Sequence, residues 1–140
     1  VQYYPITKLL ILIDKWGMMY QMWKASNREW HFKMRREAPW YHLVKHARAK
    51  CNKSGVPFDL DNDWARSRWT GCCEMSGIPF EVCQSKQGMF CPSLDRIDHS
   101  RGYIKDNCRF ILFGLNAFKQ QSSDDVVLSV CRAVLESSTR

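Results

Sequence analysis

After Pro5 and Thr7, apolar residues recur at Ile6, Leu9, Leu10, Ile13, Trp16 and Tyr20, the three-and-four spacing that turns one stripe of a helix toward a partner surface. Gly17 interrupts this stripe and predicts a bend. Residues 26 to 37 read as a second, strongly basic helix, which Pro39 should end because the residue before a proline is pushed out of the α region. Ala38-Pro39 is the expected boundary. From Trp40 onward, Leu43, Val44, Ala47 and Cys51 share one face while His42, Lys45, His46, Arg48 and Lys50 fall largely elsewhere, and Gly55 and Pro57 stop the helix. Phe58 to Asp63 reads as a short extended piece that leads through an acidic cap into a helix around Trp64 to Trp69, broken by Gly71. The trio Asp59, Asp61 and Asp63 lacks the glycine and distal glutamate of a calcium-binding loop, so capping is its expected use.

The pattern then changes. Residues 72 to 92 carry scattered glycines and prolines and predict a loop-rich support. Ser93 to Ile97 and Cys108 to Leu112 read as two strands joined by a turn from Asp98 to Asn107, where Gly102 and Asn107 tolerate unusual backbone angles. A helix from about Phe113 to Gln121 follows. Ser122-Ser123-Asp124-Asp125 starts a last helix whose Val127, Val130, Cys131, Val134 and Leu135 form a packing seam. The expected class is α+β. A core spans residues 39–121, preceded by an N-terminal basic helical segment over 1–38 and followed by a C-terminal helix over 122–140 that packs on the core.

Composition narrows the function. A chain of 140 residues, 45% hydrophobic and 13% aromatic, is long enough for one compact domain and too apolar to be disordered. The formal net charge is +7, and residues 24 to 53 hold nine Lys/Arg against Glu29 and Glu37, so the whole surplus lies in thirty residues. Such a surface releases condensed counterions on meeting a polyphosphate, which makes nucleic acid the expected partner. The bland alternative is a solvated helix face. His31, His42 and His46 lie in the same stretch.

Seven cysteines, an odd count, read as reduced thiols rather than a disulfide framework. Cys72, Cys73, Cys83, Cys91 and Cys108 lack the paired Cys-x-x-Cys spacing of a structural Zn²⁺ site, so buried thiols are preferred. The run Ile6 to Ile13 is short and contains Lys8, which suits neither a membrane span nor a signal peptide. The tryptophans and methionines of the first helix would suit an interface, either with a partner or in a homodimer.

In their order and spacing, Ser93-Leu94-Asp95-Arg96-Ile97-Asp98, Gly102-Tyr103, Asp106-Asn107 and Asn116-x-x-Lys119 resemble the HNH endonucleases, also called His-Me finger or ββα-metal nucleases. Within them the likeness is to a phage-type branch in which Asp-Arg replaces Asp-His. Lys45 to Lys50, Gly55 to Leu60 and Cys73 to Phe80 extend the likeness, which covers roughly residues 42 to 121. The resemblance implies a ββα-metal core and a metal-dependent DNA endonuclease. It would hydrolyse phosphodiester bonds to 5′-phosphate and 3′-hydroxyl ends, by nicking or double-strand cleavage, in the cytoplasm of a bacterial or phage-infected cell.

That chemistry needs a nucleophilic water, a stabiliser of charge on the phosphoryl oxygens and a way to lower the leaving oxygen's basicity. A hard divalent cation serves the last two. Asp95 would supply an anionic oxygen ligand and Asn116 a neutral one, a set suited to Mg²⁺ or Mn²⁺. In its apolar strand Asp95 is hard to bury without a metal or an arginine partner, and the competing reading is an ion pair with Arg96 or Arg101.

Arg96 stands where most of the resembling family has a histidine base. A guanidinium cannot accept a proton near neutral pH, so its expected work is to clamp a phosphate. The base is left open among His99, the nearest imidazole, His42 and His46 on the basic helix, and a phosphate oxygen of the substrate. Asn107 is expected to fix the loop backbone, and Arg35, Arg36, Lys45, Arg48, Lys50, Arg101 and Lys119 to meet DNA. The arginine in the histidine's place keeps a rival alive: a nucleic-acid-binding module of the same fold without turnover.

Overall fold

Pro39 turns the first corner of the chain. The computed structural model describes residues 6–81 and 88–139, which form five helices and a two-stranded antiparallel sheet, an α+β arrangement. Helix α1 runs unbroken over Ile6–Glu37, so the two helices expected before Pro39 are one. A glycine inside a helix costs only about 1 kcal/mol, and no proline lies between Pro5 and Pro39 to break it. The side chains of the stripe from Ile6 to Tyr20 lie outside the described residues.

Ala38 leaves helical angles (φ −141°, ψ 64°), and α2 (Pro39–Ser54) begins with the proline at its first turn, where a missing N–H is no loss. It ends at Gly55, whose φ of 70° lets its N–H reach the Cys51 carbonyl at 2.8 Å. Val44, Ala47 and Cys51 are its buried positions. The Asp61 carboxylate accepts the Trp64 N–H at 2.7 Å and so caps α3 (Asn62–Arg68).

Strands β1 (Pro92–Arg96) and β2 (Cys108–Leu112) pair with Leu94 opposite Phe110 and Asp95 opposite Arg109. Every residue of β2 is buried. Phe110 and Cys108 join Leu94, Val44, Ala47, Leu60 and Ala65 in the main core, where Trp64 and Trp69 pack on the Phe110 ring at 5.8 and 5.2 Å. A second cluster gathers Cys73, Ile111 and Leu112. The loop before the hairpin braces β2 through Glu74, whose carboxylate accepts the Phe110 N–H at 2.7 Å and is also bound by Arg68.

The hairpin loop is stitched to the segment after α2. Tyr103 N–H donates to the Pro57 carbonyl at 2.9 Å, and Asp59 N–H donates to the Tyr103 carbonyl at 3.1 Å. Gly102 is needed there because any Cβ would collide with the Pro57 backbone.

Helix α4 (Phe113–Lys119) follows β2 directly, and α5 (Asp124–Ser138) comes next. The expected packing of the whole α5 seam on the core is corrected here. Only Val127 is buried, while Val130, Val134 and Leu135 are 41%, 57% and 68% exposed. Two strands and a seven-residue α4 offer too little surface to cover a fifteen-residue helix.

A second correction concerns the thiols. Cys91 is disulfide-bonded, whereas Cys51, Cys72, Cys73, Cys108 and Cys131 are free. Among the described residues no helix is long and apolar enough to cross a membrane.

Candidate functional site

Alternation along β1 sorts its side chains onto two faces. Leu94 turns into the core against α2, and the charge of Arg96 is felt at Cys51 on that helix. Ser93 and Asp95 face α4. There the Asn116 amide nitrogen donates to Ser93 Oγ at 2.8 Å and to the Leu94 carbonyl at 3.3 Å. Both contacts use the nitrogen, which leaves the carbonyl oxygen of Asn116 to accept. Asp95 and Asn116 therefore sit on the same side of the hairpin, under one short helix.

Asp95 is 2% exposed and fully partnered. Lys119 Nζ donates to its Oδ1 at 3.0 Å and Arg109 Nε to its Oδ2 at 2.9 Å. Arg109 also grips Asp124 through two hydrogen bonds, which holds the Asp124 carboxyl below its ordinary range. Lys119, Asp95, Arg109 and Asp124 thus form an alternating chain of charges that ties α4, β1, β2 and α5 together. The arginine partner of Asp95 is Arg109, opposite it in the ladder, rather than Arg96 or Arg101. Lys119, expected to meet DNA, is fully buried with its ammonium also donating to the Arg96 carbonyl at 2.7 Å. A buried carboxylate needs compensating charge, and Lys119 is one helical turn beyond Asn116, within reach to supply it.

This geometry bears on the divalent ion that the resemblance implies. The ammonium of Lys119 sits between oxygen donors, Asp95 Oδ1 and the Arg96 carbonyl, a hard-oxygen setting in which a cation is already held. The donors suit Mg²⁺ or Mn²⁺. Their present occupant is the lysine, which such an ion would have to displace.

Asn107 is 1% exposed and clamps the turn. Its Oδ1 accepts the Asp98 N–H at 3.0 Å, and its Nδ2 donates to the carbonyls of Asp98 at 2.9 Å and Gly102 at 3.0 Å. Asp98 accepts from the Ser100 N–H and hydroxyl, which lowers its pKa. Arg96 donates to the Arg101 carbonyl at 3.1 Å and lies over the Tyr103 ring at 4.9 Å. His99 is exposed in the turn.

A cleft of about 570 Å³ opens where α1 and α2 meet β1 and α4, lined by Arg35, His42, His46, Lys50, Ser93 and Asn116, with Tyr103 also on its wall. Arg35 Nε donates to His42 Nε2 at 3.3 Å. Desolvation first, then the Arg35 charge, pulls the His42 pKa from 6.5 to about 4, so this imidazole is neutral at pH 7. Of the cations expected to meet DNA, Arg35 and Lys50 line the cleft. Lys45 lies over the Trp30 ring at 5.0 Å, Arg48 binds the Leu60 carbonyl at 2.8 Å, and Arg36 and Arg101 pair with Glu37 and Asp106.

Of the expected catalytic set, Asn116 reaches the cleft, Asp95 lies behind it, Arg96 sits over a wall residue and His99 stays outside. The imidazoles present in the cleft are His42 and His46. Sequence reasoning missed Ser93, Tyr103 and Arg109. A cross-strand partner for Asp95 was the one available signal.

No family model, curated protein or solved structure matches this chain.

Proposed function

We propose that this chain is a DNA endonuclease of the HNH type, acting on phosphodiester bonds in the cleft between α2 and the hairpin. One observation carries the reading. Asp95 and Asn116 lie on the same face of a strand-turn-strand-helix unit whose turn is clamped by Asn107, and Asn116 opens into a cleft lined by Arg35, Lys50, His42 and His46.

Each side chain has work suited to its setting. Arg35 and Lys50 attract a backbone phosphate and hold it at the cleft wall. Arg96, steadied by the Arg101 carbonyl and the Tyr103 ring, presents its remaining N–H groups to a second phosphate oxygen. His42, neutral at pH 7 with its Nε2 already accepting from Arg35, shapes the cleft wall, and His46 beside it takes over from His99 the task of accepting a proton from an attacking water. Mg²⁺ or Mn²⁺, displacing the Lys119 ammonium from Asp95 Oδ1 and the Arg96 carbonyl, would supply charge stabilisation to the phosphoryl and leaving oxygens.

A second reading is favoured by a specific contact. Because Asp95 is bonded through both oxygens to Lys119 and Arg109, the fold also suits a nucleic-acid-binding module without turnover. Plasmid relaxation with Mg²⁺, Mn²⁺ or EDTA separates the two. The nuclease reading expects nicking by the wild type with either metal, and none in EDTA or after Asn116→Ala or Asp95→Asn. DNA binding with no nicking under any condition would leave only the binding module.

A further inference from the structure

A second groove, about 380 Å³, runs along α1 and joins the cleft, since Arg35 and His42 line both. Its other walls include Trp23, Asn27, Arg28, His31 and Phe32. These positions form two neighbouring rows at four-residue spacing, Trp23-Asn27-His31-Arg35 and Arg28-Phe32, so they share one helix face. Trp23 is 60% and Phe32 42% exposed, and His31 Nδ1 is buried with no hydrogen-bond partner among the described residues.

From this we infer that the groove is a subsite for unpaired nucleobases, which deepens the nuclease reading and rests on it: the substrate enters as a strand with exposed bases rather than as a closed duplex. Aromatic rings interleaved with cations are what a single strand needs, because base faces stack on the rings while phosphates meet the guanidinium groups. A duplex hides those faces. The Asn27 amide offers both a donor and an acceptor to a base edge. The surrounding charge favours a polyanion, with nine Lys/Arg against two Glu between residues 24 and 53. Continuity through Arg35 and His42 lets one strand occupy cleft and groove together.

The test uses the full chain in EDTA and three fluorescent oligonucleotides of equal phosphate number: a single strand, the same strand made abasic, and a duplex. Wild type is expected to bind the single strand tightest. Trp23→Ala and Phe32→Ala, both surface changes that far-UV circular dichroism will show to leave the helix intact, should each weaken the single strand about tenfold, the loss of one stacking ring. The abasic strand should change less than about twofold, because stacking is absent there. Lys50→Ala should weaken all three.

Unchanged single-strand affinity in both aromatic variants overturns the inference alone, as does an equal loss on based and abasic strands. Polyglutamate competing as well as the oligonucleotide, with the same sensitivity to Trp23→Ala, would reassign the groove to an acidic protein. Failure of wild type to bind any of the three oligonucleotides would sink the nuclease reading itself.

Discussion

Replacing Lys119 by methionine keeps most of the side chain's volume and removes its charge. The ammonium donates two charge-assisted hydrogen bonds, to Asp95 Oδ1 and to the Arg96 carbonyl, each contributing about 1.5–3 kcal/mol. Part of that gain is offset in the native protein by desolvation of the ammonium, whereas stripping one partner from a buried pair generally costs about 3–5 kcal/mol. Lys119 is 0% and Asp95 2% exposed, so solvent screens little. Arg109 still holds Oδ2, which puts the expected loss near the low end, about 3 kcal/mol. For a chain of this size that lowers Tm by roughly 10 °C.

Urea unfolding followed by circular dichroism at pH 7 reads the loss directly. Asp95→Asn combined with Lys119→Met should be less damaging than the sum of the two, since contacting residues couple. Lys119→Ala, which removes the ammonium from Asp95 Oδ1 and also opens its space, should bind Mn²⁺ more tightly than wild type does, as read by electron paramagnetic resonance. A loss below about 1 kcal/mol, far under the usual cost of breaking a buried pair, would mean that the lysine is solvated and refute the burial argument. If DNA affinity fell at the same time, Lys119 would belong on the phosphate after all.

Asn107→Ala removes three hydrogen bonds from a buried clamp and should cost about 2–3 kcal/mol, with faster amide exchange confined to residues 98 to 107. His42 titrates near 6.5 when unfolded and about 4 when folded, so the unfolded chain takes up the proton first. Stability should hold above pH 6.5 and fall between 6.5 and 4 by about 1–2 kcal/mol after discounting the half-exposed ring, a slope that His42→Gln flattens in urea melts. Burial pushes the Cys108 thiol up to about 12, so iodoacetamide should leave it unmodified in the folded protein while the exposed Cys131 reacts, as mass spectrometry will show.

Local signals carried much of the fold. The alternation of β1, the apolar face of α2, the Pro39 corner and the Asp61 cap are each written within a few consecutive residues, and each is found where that pattern puts it. What escaped depends on partners distant in the chain. That Asp95 meets Arg109 depends on the register left by residues 97 to 107, which no short window contains. The extent of α5 packing depends on how much surface α4 and the sheet present. His42 and His46 read as helix-face residues until β1 and α4 close a cleft beside them. Gly17, Ser26 and Asn27 are weak helix formers, yet none is strong enough to interrupt α1.

Because both faces of β2 are engaged, the hairpin admits only one phase. Sliding β2 by a single residue would drive the Arg109 guanidinium among the tryptophans and turn the Phe110 ring toward Asp124, and sliding β1 would turn Asp95 into the core in place of Leu94. An insertion or deletion within residues 92–96 or 108–112 therefore cannot be absorbed by slippage. Length variation tolerated by this unit should be confined to the exposed tip around His99 and Ser100, between the Asp98 and Gly102 carbonyls that Asn107 holds.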